Sequence, residues 1–262
     1  RIIEDTGMRS DEFSPQERAA IHSSMAEVLA NLHKVDFREV GLQNFGKPTG
    51  YVQRQLKTWG GQYQGGEGVV RNPEMWSAAG LKFADYGDYM VRLLKYLEEN
   101  VDSEMAKMGT EPVGIVHGDY RIGNVIIHPT EPRVVAVLDW ELCTLGNTLA
   151  DLSYQMMSWY APNAAAGSDG TGRSIDDIGK GIPREEDYKA MYEAHMGIKA
   201  LPSSTWQFLK AFQIYRLTAI GHGVFARGLQ GNASSNKALA RPWREDSARD
   251  ALIMLGVTSS KL

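Results

Sequence analysis

Disulfides, membrane spans and a basic surface are features that this sequence lacks. Cys143 is the only cysteine among 262 residues, so no internal disulfide can form, as is typical of proteins in a reducing compartment. The first residues lack the apolar core of a secretion signal, and no run of about 18 apolar residues occurs. The net charge of −4 shows none of the basic excess that marks nucleic-acid-binding proteins. We therefore expect a cytoplasmic protein whose partners include neither a membrane nor a nucleic acid.

Helical patterns fill the first hundred residues. Ser14, Pro15 and Glu17 have the types and spacing of an N-cap, a first helical residue and the glutamate of a capping box. Apolar residues then recur at helical spacing, which predicts a helix over Ser14–Lys34. Two more helices are predicted in this half, from Thr49 to the glycines at 65–68 and from Asp85 to Asn100.

Short runs of β-branched residues begin near residue 112. They predict three strands, with a turn at 129–132 between the last two: Val113–His117, Val125–His128 and Val134–Leu138. Helical patterns return at 151–160, 184–196, 205–228 and 245–255, and glycines at 221–223 could interrupt the third of these. Residues 161–182 lack periodicity, which predicts a flexible loop, either a functional lid or partly disordered. The predicted fold class is α+β, mainly helical, with a small central β-hairpin.

Three polar residues stand at the spacing of a phosphoryl-transfer site. Asp119 precedes Asn124 by five residues, and Asp139 follows fifteen further on, at the end of a predicted strand. Phosphoryl transfer from ATP needs a carboxylate that orients the attacking hydroxyl and accepts its proton, and hard oxygen ligands that hold Mg²⁺ against the phosphates. The spacing therefore predicts Asp119 as the catalytic base, and Asn124 and Asp139 as the metal ligands.

The string HGDYRIGNVIIH, followed by VLDWELCTLGNTLADLSY, resembles the aminoglycoside phosphotransferase-like kinase family. The shared pattern is an HGD-x4-N loop, a strand ending in DWE and a G-x4-DL helix start. The segments LANLHKVDF, YVQRQLKTW and LDWELCTLG are most similar to the kinase-like domains related to those fused to acyl-CoA dehydrogenases. The resemblance implies a protein-kinase-like C-terminal lobe with a catalytic loop at 115–128 and a metal-binding strand at 134–141. It also implies ATP and Mg²⁺ as cofactors and a small-molecule hydroxyl group as acceptor.

The resemblance gives supporting roles to two neighbours of the catalytic residues. His117 would support the catalytic loop, and Asp151 would accept hydrogen bonds from the loop backbone while capping the helix that it starts. Glu141 could reach the metal or a substrate hydroxyl, or be a structural carboxylate, and the sequence leaves both open.

Other residues with chemical potential are interpreted as structural. His128 could be imagined with His117 and the two aspartates in a metal-hydrolase cluster, but it lies at the far end of the strand that leaves the loop. His33 is interpreted as structural. Packing is expected for Cys143, and core packing or a helix kink for His222. Surface or packing roles are expected for Trp206, Arg216 and Arg227, although these three could line the acceptor site.

An N-terminal lobe has no counterpart in the sequence pattern. In kinases that lobe carries the loop over the phosphates and a lysine for the α- and β-phosphates. Only thirteen residues precede Ser14, so we expect residues 1–262 to represent the C-terminal lobe alone, inactive or nearly so without its N-lobe. The apolar face where that lobe would sit could support a homodimer.

Two functional classes remain open. The first is a phosphotransferase acting on a small-molecule hydroxyl, and the second is a catalytically silent kinase-like module that binds or regulates a partner in acyl-CoA metabolism. Retention of all three site residues favours the first, and a metal-dependent phosphoesterase is a distant third. The acceptor could be a hydroxyacyl metabolite, from the closer resemblance, or an aminoglycoside, from the acidic residues between 169 and 187, although a solvated acidic face also explains these.

Overall fold

Helices make up most of the computed structural model, which describes residues 13–84, 87–160, 180–233, 237–240 and 246–257. The helices are α1 (Pro15–Lys34), α2 (Tyr51–Val70), α3 (Pro73–Ala78), α4 (Tyr89–Ala106), α5 (Leu149–Gln155), α6 (Met157–Tyr160), α7 (Glu185–Met196), α8 (Ser203–Leu229), α9 (Lys237–Ala240) and α10 (Asp246–Met254). The strands are β1 (Val113–Val116), β2 (Val125–Ile127), β3 (Val134–Val137) and β4 (Thr144–Asn147). The loop predicted at 161–182 lies outside the described residues up to residue 179. Within those ranges, no helix is both long and apolar enough to cross a membrane.

The first helix begins as its sequence predicts. Glu17 N–H donates to Ser14 Oγ at 3.2 Å, and Ser14 N–H donates to Glu17 Oε2 at 2.8 Å, so both halves of the capping box form. The helix ends at Lys34 and buries Ile21, Met25 and Leu29 in the main core. The prediction for α1 is confirmed.

The predicted end of the second helix is wrong. Helix α2 continues through Gly65, Gly66 and Gly68 to Val70. Gly66 lies in a packed interface, whereas Gly65 and Gly68 lie on an open face of the helix. A Cβ atom on Gly66 would lie 2.7 Å from Cε1 of His222 on α8. The absence of a side chain therefore lets two helices approach each other.

Two other helix predictions need correction, and one helix was missed. Helix α4 spans Tyr89–Ala106 instead of 85–100, because Val101 and Met105 continue its buried stripe. Helix α8 runs for 27 residues without a break, so the expected interruption at 221–223 does not occur. The short helix α3 was not predicted.

Two small antiparallel sheets replace the single predicted hairpin. Strands β2 and β3 pair as expected, with Val125 opposite Val137. Strand β1 pairs with β4, a strand that the sequence pattern did not predict, and Val116 lies opposite Thr144. This second sheet brings the end of β1 close to the segment that leads into α5, and the candidate site forms there.

Candidate active site

The loop between β1 and β2 carries the predicted catalytic residues. Gly118 has φ 88°, and a Cβ atom there would lie 2.8 Å from the backbone oxygen of Leu142. Glycine alone combines this left-handed backbone with such a close approach. The loop then forms a 3₁₀ turn, Ile122–Asn124, before strand β2 begins.

Asp119 and Asn124 are in direct contact. Asn124 Nδ2 donates to the Asp119 side-chain oxygen Oδ2 at 2.8 Å and to the Asp119 backbone oxygen at 2.9 Å. Tyr154 of α5 donates its hydroxyl proton to the other carboxylate oxygen, Oδ1, at 2.5 Å. Arg121 Nε lies 3.6 Å from Oδ2. The carboxylate, 20% exposed, is thus held by donors on both oxygens.

Asp151 ties the start of the loop to helix α5. Its carboxylate accepts hydrogen bonds from the backbone N–H groups of His117 at 2.5 Å and Gly118 at 2.8 Å, and it is 1% exposed. His33 Nε2 lies 3.3 Å from the same carboxylate, and its Nδ1 lies 2.7 Å from the hydroxyl of Tyr192. The expectation that Asp151 also caps the helix is wrong, because Thr148 occupies the N-cap position.

His117 links the loop to the segment that follows strand β3. Its Nδ1 accepts a hydrogen bond from the Asp119 N–H at 3.2 Å, so Nε2 carries the proton and donates to the Leu138 carbonyl at 2.9 Å. The ring is fully buried. One buried side chain therefore connects the backbone at the candidate base to the residue before Asp139.

Asp139 stands at the end of β3 in a left-handed backbone conformation. Its φ of 66° is the one positive value found for a non-glycine residue in the described part of the chain. A 3₁₀ turn, Trp140–Leu142, follows, and the carboxylate of Asp139 is exposed. The Leu138 N–H donates to the Asn124 carbonyl at 2.8 Å, which places Asp139 next to the catalytic loop.

The donor set at Asn124 and Asp139 fits a magnesium ion that is shared with phosphates. Both side-chain hydrogen bonds of Asn124 use Nδ2, which leaves Oδ1 as a ligand atom. Within the described ranges, no three His, Cys, Asp or Glu side chains group to hold a metal ion by themselves. Mg²⁺ commonly takes one or two protein ligands, with phosphate oxygens and waters filling its other positions. The two residues fit that pattern.

Glu141 lies exposed in the 3₁₀ turn after Asp139. None of the residues that the structure describes donates a hydrogen bond to its carboxylate. Its two interpretations, as a metal or substrate ligand and as a structural carboxylate, both stay predictions.

Arg216 of α8 donates a hydrogen bond to the loop between β1 and β2, a contact that the sequence did not indicate. Its Nη2 donates to the Gly118 carbonyl at 2.8 Å, and the residue is 7% exposed. The guanidinium carbon lies 4.9 Å from the ring centre of Tyr154 and 5.6 Å from that of Trp59. Tyr154 was also missed, although its position three residues after Asp151 on one helix places the two side chains on neighbouring positions of the same face.

In the described part of the chain, the remaining candidates form no hydrogen bond or ion pair with the Asp119 carboxylate. His128 Nδ1 accepts hydrogen bonds from the backbone N–H groups of Thr130 and Glu131 in the turn after β2. Trp206 donates its indole N–H to Glu185 at 2.8 Å, which fits its expected packing role, and Arg227 is exposed. Partial burial raises the pKa of the Cys143 thiol.

Comparison with known proteins gives the same family over most of the chain. Residues 2–184 match the Phosphotransferase enzyme family (APH). Acyl-CoA dehydrogenase family member 10 of Mus musculus is 36% identical over 226 residues, which cover 86% of this chain and 19% of that protein. A probable acyl-CoA dehydrogenase of Arabidopsis thaliana is 33% identical over 229 residues, 86% of this chain and 26% of that protein. The chain thus spans about a fifth to a quarter of these curated relatives.

Solved structures share the fold. A protein from Ralstonia eutropha, provisionally named an aminoglycoside phosphotransferase, is 35% identical with a TM-score of 0.75, over 98% of this chain and 68% of that one. Choline kinase from Cryptosporidium parvum is 12% identical with a TM-score of 0.51, over 95% of this chain and 70% of that one. The predicted α+β, kinase-like and mainly helical fold is confirmed.

Proposed function

The chain belongs to the phosphotransferase enzyme family, and we propose that it carries the base and the metal ligands for ATP-dependent phosphoryl transfer to a hydroxyl group of a small molecule. The observation that carries this proposal is the Asp119 carboxylate, held on both oxygens next to Asn124 and close to Asp139. Such a fixed carboxylate beside two oxygen ligands meets the needs of a reaction that depends on positioning and charge neutralisation.

Each residue would have its own role in the phosphoryl transfer. Asp119 would accept a hydrogen bond from the acceptor hydroxyl and take its proton as the acceptor oxygen bonds to the γ-phosphorus and the bond to ADP breaks. Asn124 Oδ1 and the Asp139 carboxylate would hold magnesium, which, when bound, supplies positive charge to the phosphate oxygens. Asp151 and His117 would keep the loop in place through the backbone bonds described above.

For the acceptor we favour a hydroxylated acyl metabolite over an aminoglycoside. The curated relatives are named as acyl-CoA dehydrogenases, which supports an acyl compound. A polycationic sugar would need free carboxylates, whereas Glu185 accepts hydrogen bonds from Trp206 and Lys210 at 2.8 and 2.9 Å. Asp169, Asp176 and Asp177 lie outside the described residues.

The test is phosphate transfer by the natural full-length protein with ATP and Mg²⁺. Hydroxyacyl-CoAs, hydroxy acids, amino sugars and choline-like alcohols serve as acceptors, and Asp119→Asn is compared with the wild type. We expect kcat to fall by about 10²- to 10⁴-fold, because the general base is lost. Asp36→Asn, an exposed aspartate on another loop, is the matched control and should keep wild-type rates. Equal rates for Asp119→Asn and the wild type would exclude Asp119 as the base.

The same assay addresses the second functional class. A silent regulatory module would transfer no phosphate to any acceptor while still binding its partner. Phosphate release from a phosphoester in the absence of ATP would instead indicate a phosphoesterase. Transfer that depends on both ATP and Asp119 would exclude both alternatives.

A further inference from the structure

Tyr154 contacts the candidate base although the shared G-x4-DL pattern ends two residues before it, at Leu152. Among the described side chains, only Tyr154 and Asn124 donate hydrogen bonds to the Asp119 carboxylate. We propose that Tyr154 is a positioning residue, which fixes the Asp119 carboxylate for proton transfer through its hydrogen bond to Oδ1. This inference rests on the proposed function, because it assigns Tyr154 a role in the same reaction.

The two donors reach the carboxylate from different elements. Asn124 follows Asp119 in the loop and bonds Oδ2, whereas Tyr154 projects from α5 and bonds Oδ1. The torsion that rotates an aspartate carboxylate has a broad energy well, so one donor does not fix its plane. Two donors, one on each oxygen, restrict that rotation. Asp119 is thereby held in one orientation before the acceptor arrives.

Tyr154 is itself held in place. The Arg216 guanidinium lies 4.9 Å from its ring centre, and the same side chain donates to the Gly118 carbonyl at 2.8 Å. Trp59 of α2 flanks Arg216 at 5.6 Å. The phenol is therefore tied to the loop both through Asp119 and through Arg216. Few rotamers of Tyr154 keep both contacts.

The tyrosine hydroxyl stays protonated over the working range of an enzyme. Burial, followed by the charge and hydrogen bond of Asp119, raises the pKa of Tyr154 well above its usual range. Tyr154 thus remains a donor to Asp119 and does not compete for the proton of the acceptor hydroxyl.

The variant Tyr154→Phe removes one oxygen atom and keeps the ring against Arg216, so the fold is retained. In the full-length protein we expect kcat for phosphate transfer to fall about 10- to 100-fold, as for loss of a hydrogen bond to a charged group. The KM for ATP should be unchanged, because the Tyr154 hydroxyl donates its hydrogen bond to the base and not to a proposed metal ligand. Tyr160→Phe is the matched control: its hydroxyl donates to the Ser153 carbonyl at 2.6 Å and does not contact Asp119. It should keep wild-type kcat.

A double-mutant cycle separates positioning from a structural role. Tyr154→Phe is combined with Asp119→Ala, and single-turnover rates of phosphate transfer are compared. If Tyr154 acts through Asp119, removing its hydroxyl has no further effect once the carboxylate is gone. The inference alone would be overturned if Tyr154→Phe lowered the rate equally with and without the Asp119 carboxylate. It would also be overturned if Tyr154→Phe kept wild-type kcat while Asp119→Ala was inactive. Wild-type activity of Asp119→Ala would overturn the proposed function as well.

Discussion

Backbone geometry restricts which residue types can occupy two positions of the candidate site, Gly118 in the loop after β1 and Asp139 after β3. Asp139 holds a left-handed conformation, φ 66° and ψ 58°, that few non-glycine residues adopt, although aspartate tolerates it better than most. This left-handed conformation turns the chain away from the direction of β3. The Asp139 carboxylate stays exposed at the end of the strand. Gly118 is restricted twice, by its φ of 88° and by the Leu142 backbone.

Substitution of Gly118 tests this restriction. We expect Gly118→Ala to lower the free energy of unfolding by about 2–4 kcal/mol, because a Cβ atom adds backbone strain and a contact at 2.8 Å with the Leu142 oxygen. Urea unfolding of this chain measures the change. Gly41→Ala is the control: φ is 78° there, but nothing lies within 4 Å of the added Cβ, so only the strain of about 1–2 kcal/mol is expected. Equal losses in the two variants would contradict the steric part of this account.

At the residue scale, spacing identified part of the site. The separation of Asp119, Asn124 and Asp139 sufficed to group them, because a short loop and a hairpin bring such positions together. Tyr154 and Arg216 were missed because their contacts with the loop come from helix packing across 35 and 98 residues of chain. The local sequence around Arg216 carries no sign of that packing.

At the scale of elements, helix α2 packs closely against helix α8. Gly66 meets His222, and Glu67 on the next position lies 3.2 Å from His222 Nε2. The interface thus combines a backbone contact with a carboxylate–imidazole contact, and the same carboxylate forms an ion pair with Arg71 Nε at 2.7 Å. Helix α8 in turn carries Arg216 to the catalytic loop, so this packing supports the site indirectly.

Alanine at Gly65 and alanine at Gly66 should change the free energy of unfolding in opposite directions. Gly66→Ala is expected to destabilise the chain by about 1–3 kcal/mol, since the new Cβ would lie 2.7 Å from the buried His222 ring. Gly65→Ala meets nothing within 4 Å and should stabilise the helix by up to about 1 kcal/mol. Thermal or urea unfolding of the two variants gives the signs. A destabilising Gly65→Ala would mean that the helix ends earlier than Val70.

The Glu67 ion pair predicts a pH dependence of stability. Burial would raise the pKa of Glu67, but hydrogen bonds from His222, Arg71 and Tyr63 outweigh it and lower the pKa from 4.5 to about 2. A carboxyl whose pKa is lowered by folding stabilises the protein fully above its unfolded pKa, and that stability is lost as pH falls towards the folded value. Glu67→Gln should therefore cost about 1–3 kcal/mol at pH 7, and less as pH falls from 4.5 towards 2.

The measurement is the unfolding free energy of wild type and Glu67→Gln between pH 7 and pH 3. Glu186→Gln, at an exposed position on α7, is the control and should change the unfolding free energy little. A Glu67→Gln difference that stayed constant over the whole range would exclude the ion pair as its source.

Elements were predictable where the signal was local. Helix α1 follows from its capping box and apolar spacing, and β2–β3 follows from β-branched runs around a turn. Strand β4, Thr-Leu-Gly-Asn, lacks a run of β-branched residues, and it pairs with β1, which local sequence does not indicate. The glycines at 65–68 were misread as a helix end because the role of Gly66, close approach to α8, depends on tertiary structure.

At the scale of the whole molecule, our proposal places the base and the metal ligands of the reaction on this chain. The Ralstonia eutropha structure that it matches is longer, and this chain covers 68% of it. In kinases, the clamp on the nucleotide phosphates comes from an N-terminal lobe. We propose that the 262 residues by themselves bind ATP weakly.

Calorimetric titration of this chain with ATP and Mg²⁺ measures that affinity. No saturable binding is expected at ATP concentrations that saturate the full-length protein, since two oxygen ligands alone hold Mg²⁺–ATP weakly. The full-length protein under the same conditions is the positive control. Micromolar, Mg²⁺-dependent binding by the 262-residue chain would show that it needs no further lobe to hold the nucleotide.

The supports of the catalytic loop are distant along the chain, and this has a consequence for synthesis on the ribosome. Asp151 is bonded to His33 across 118 residues, and Gly118 to Arg216 across 98. Contacts of such separation form late in folding, because long loops must close first. A nascent chain that already contains Asp119, Asn124 and Asp139 therefore lacks a fixed catalytic loop until Arg216 has emerged from the exit tunnel. Activity should begin only near the end of translation of this segment, and stalled shorter chains should remain inactive.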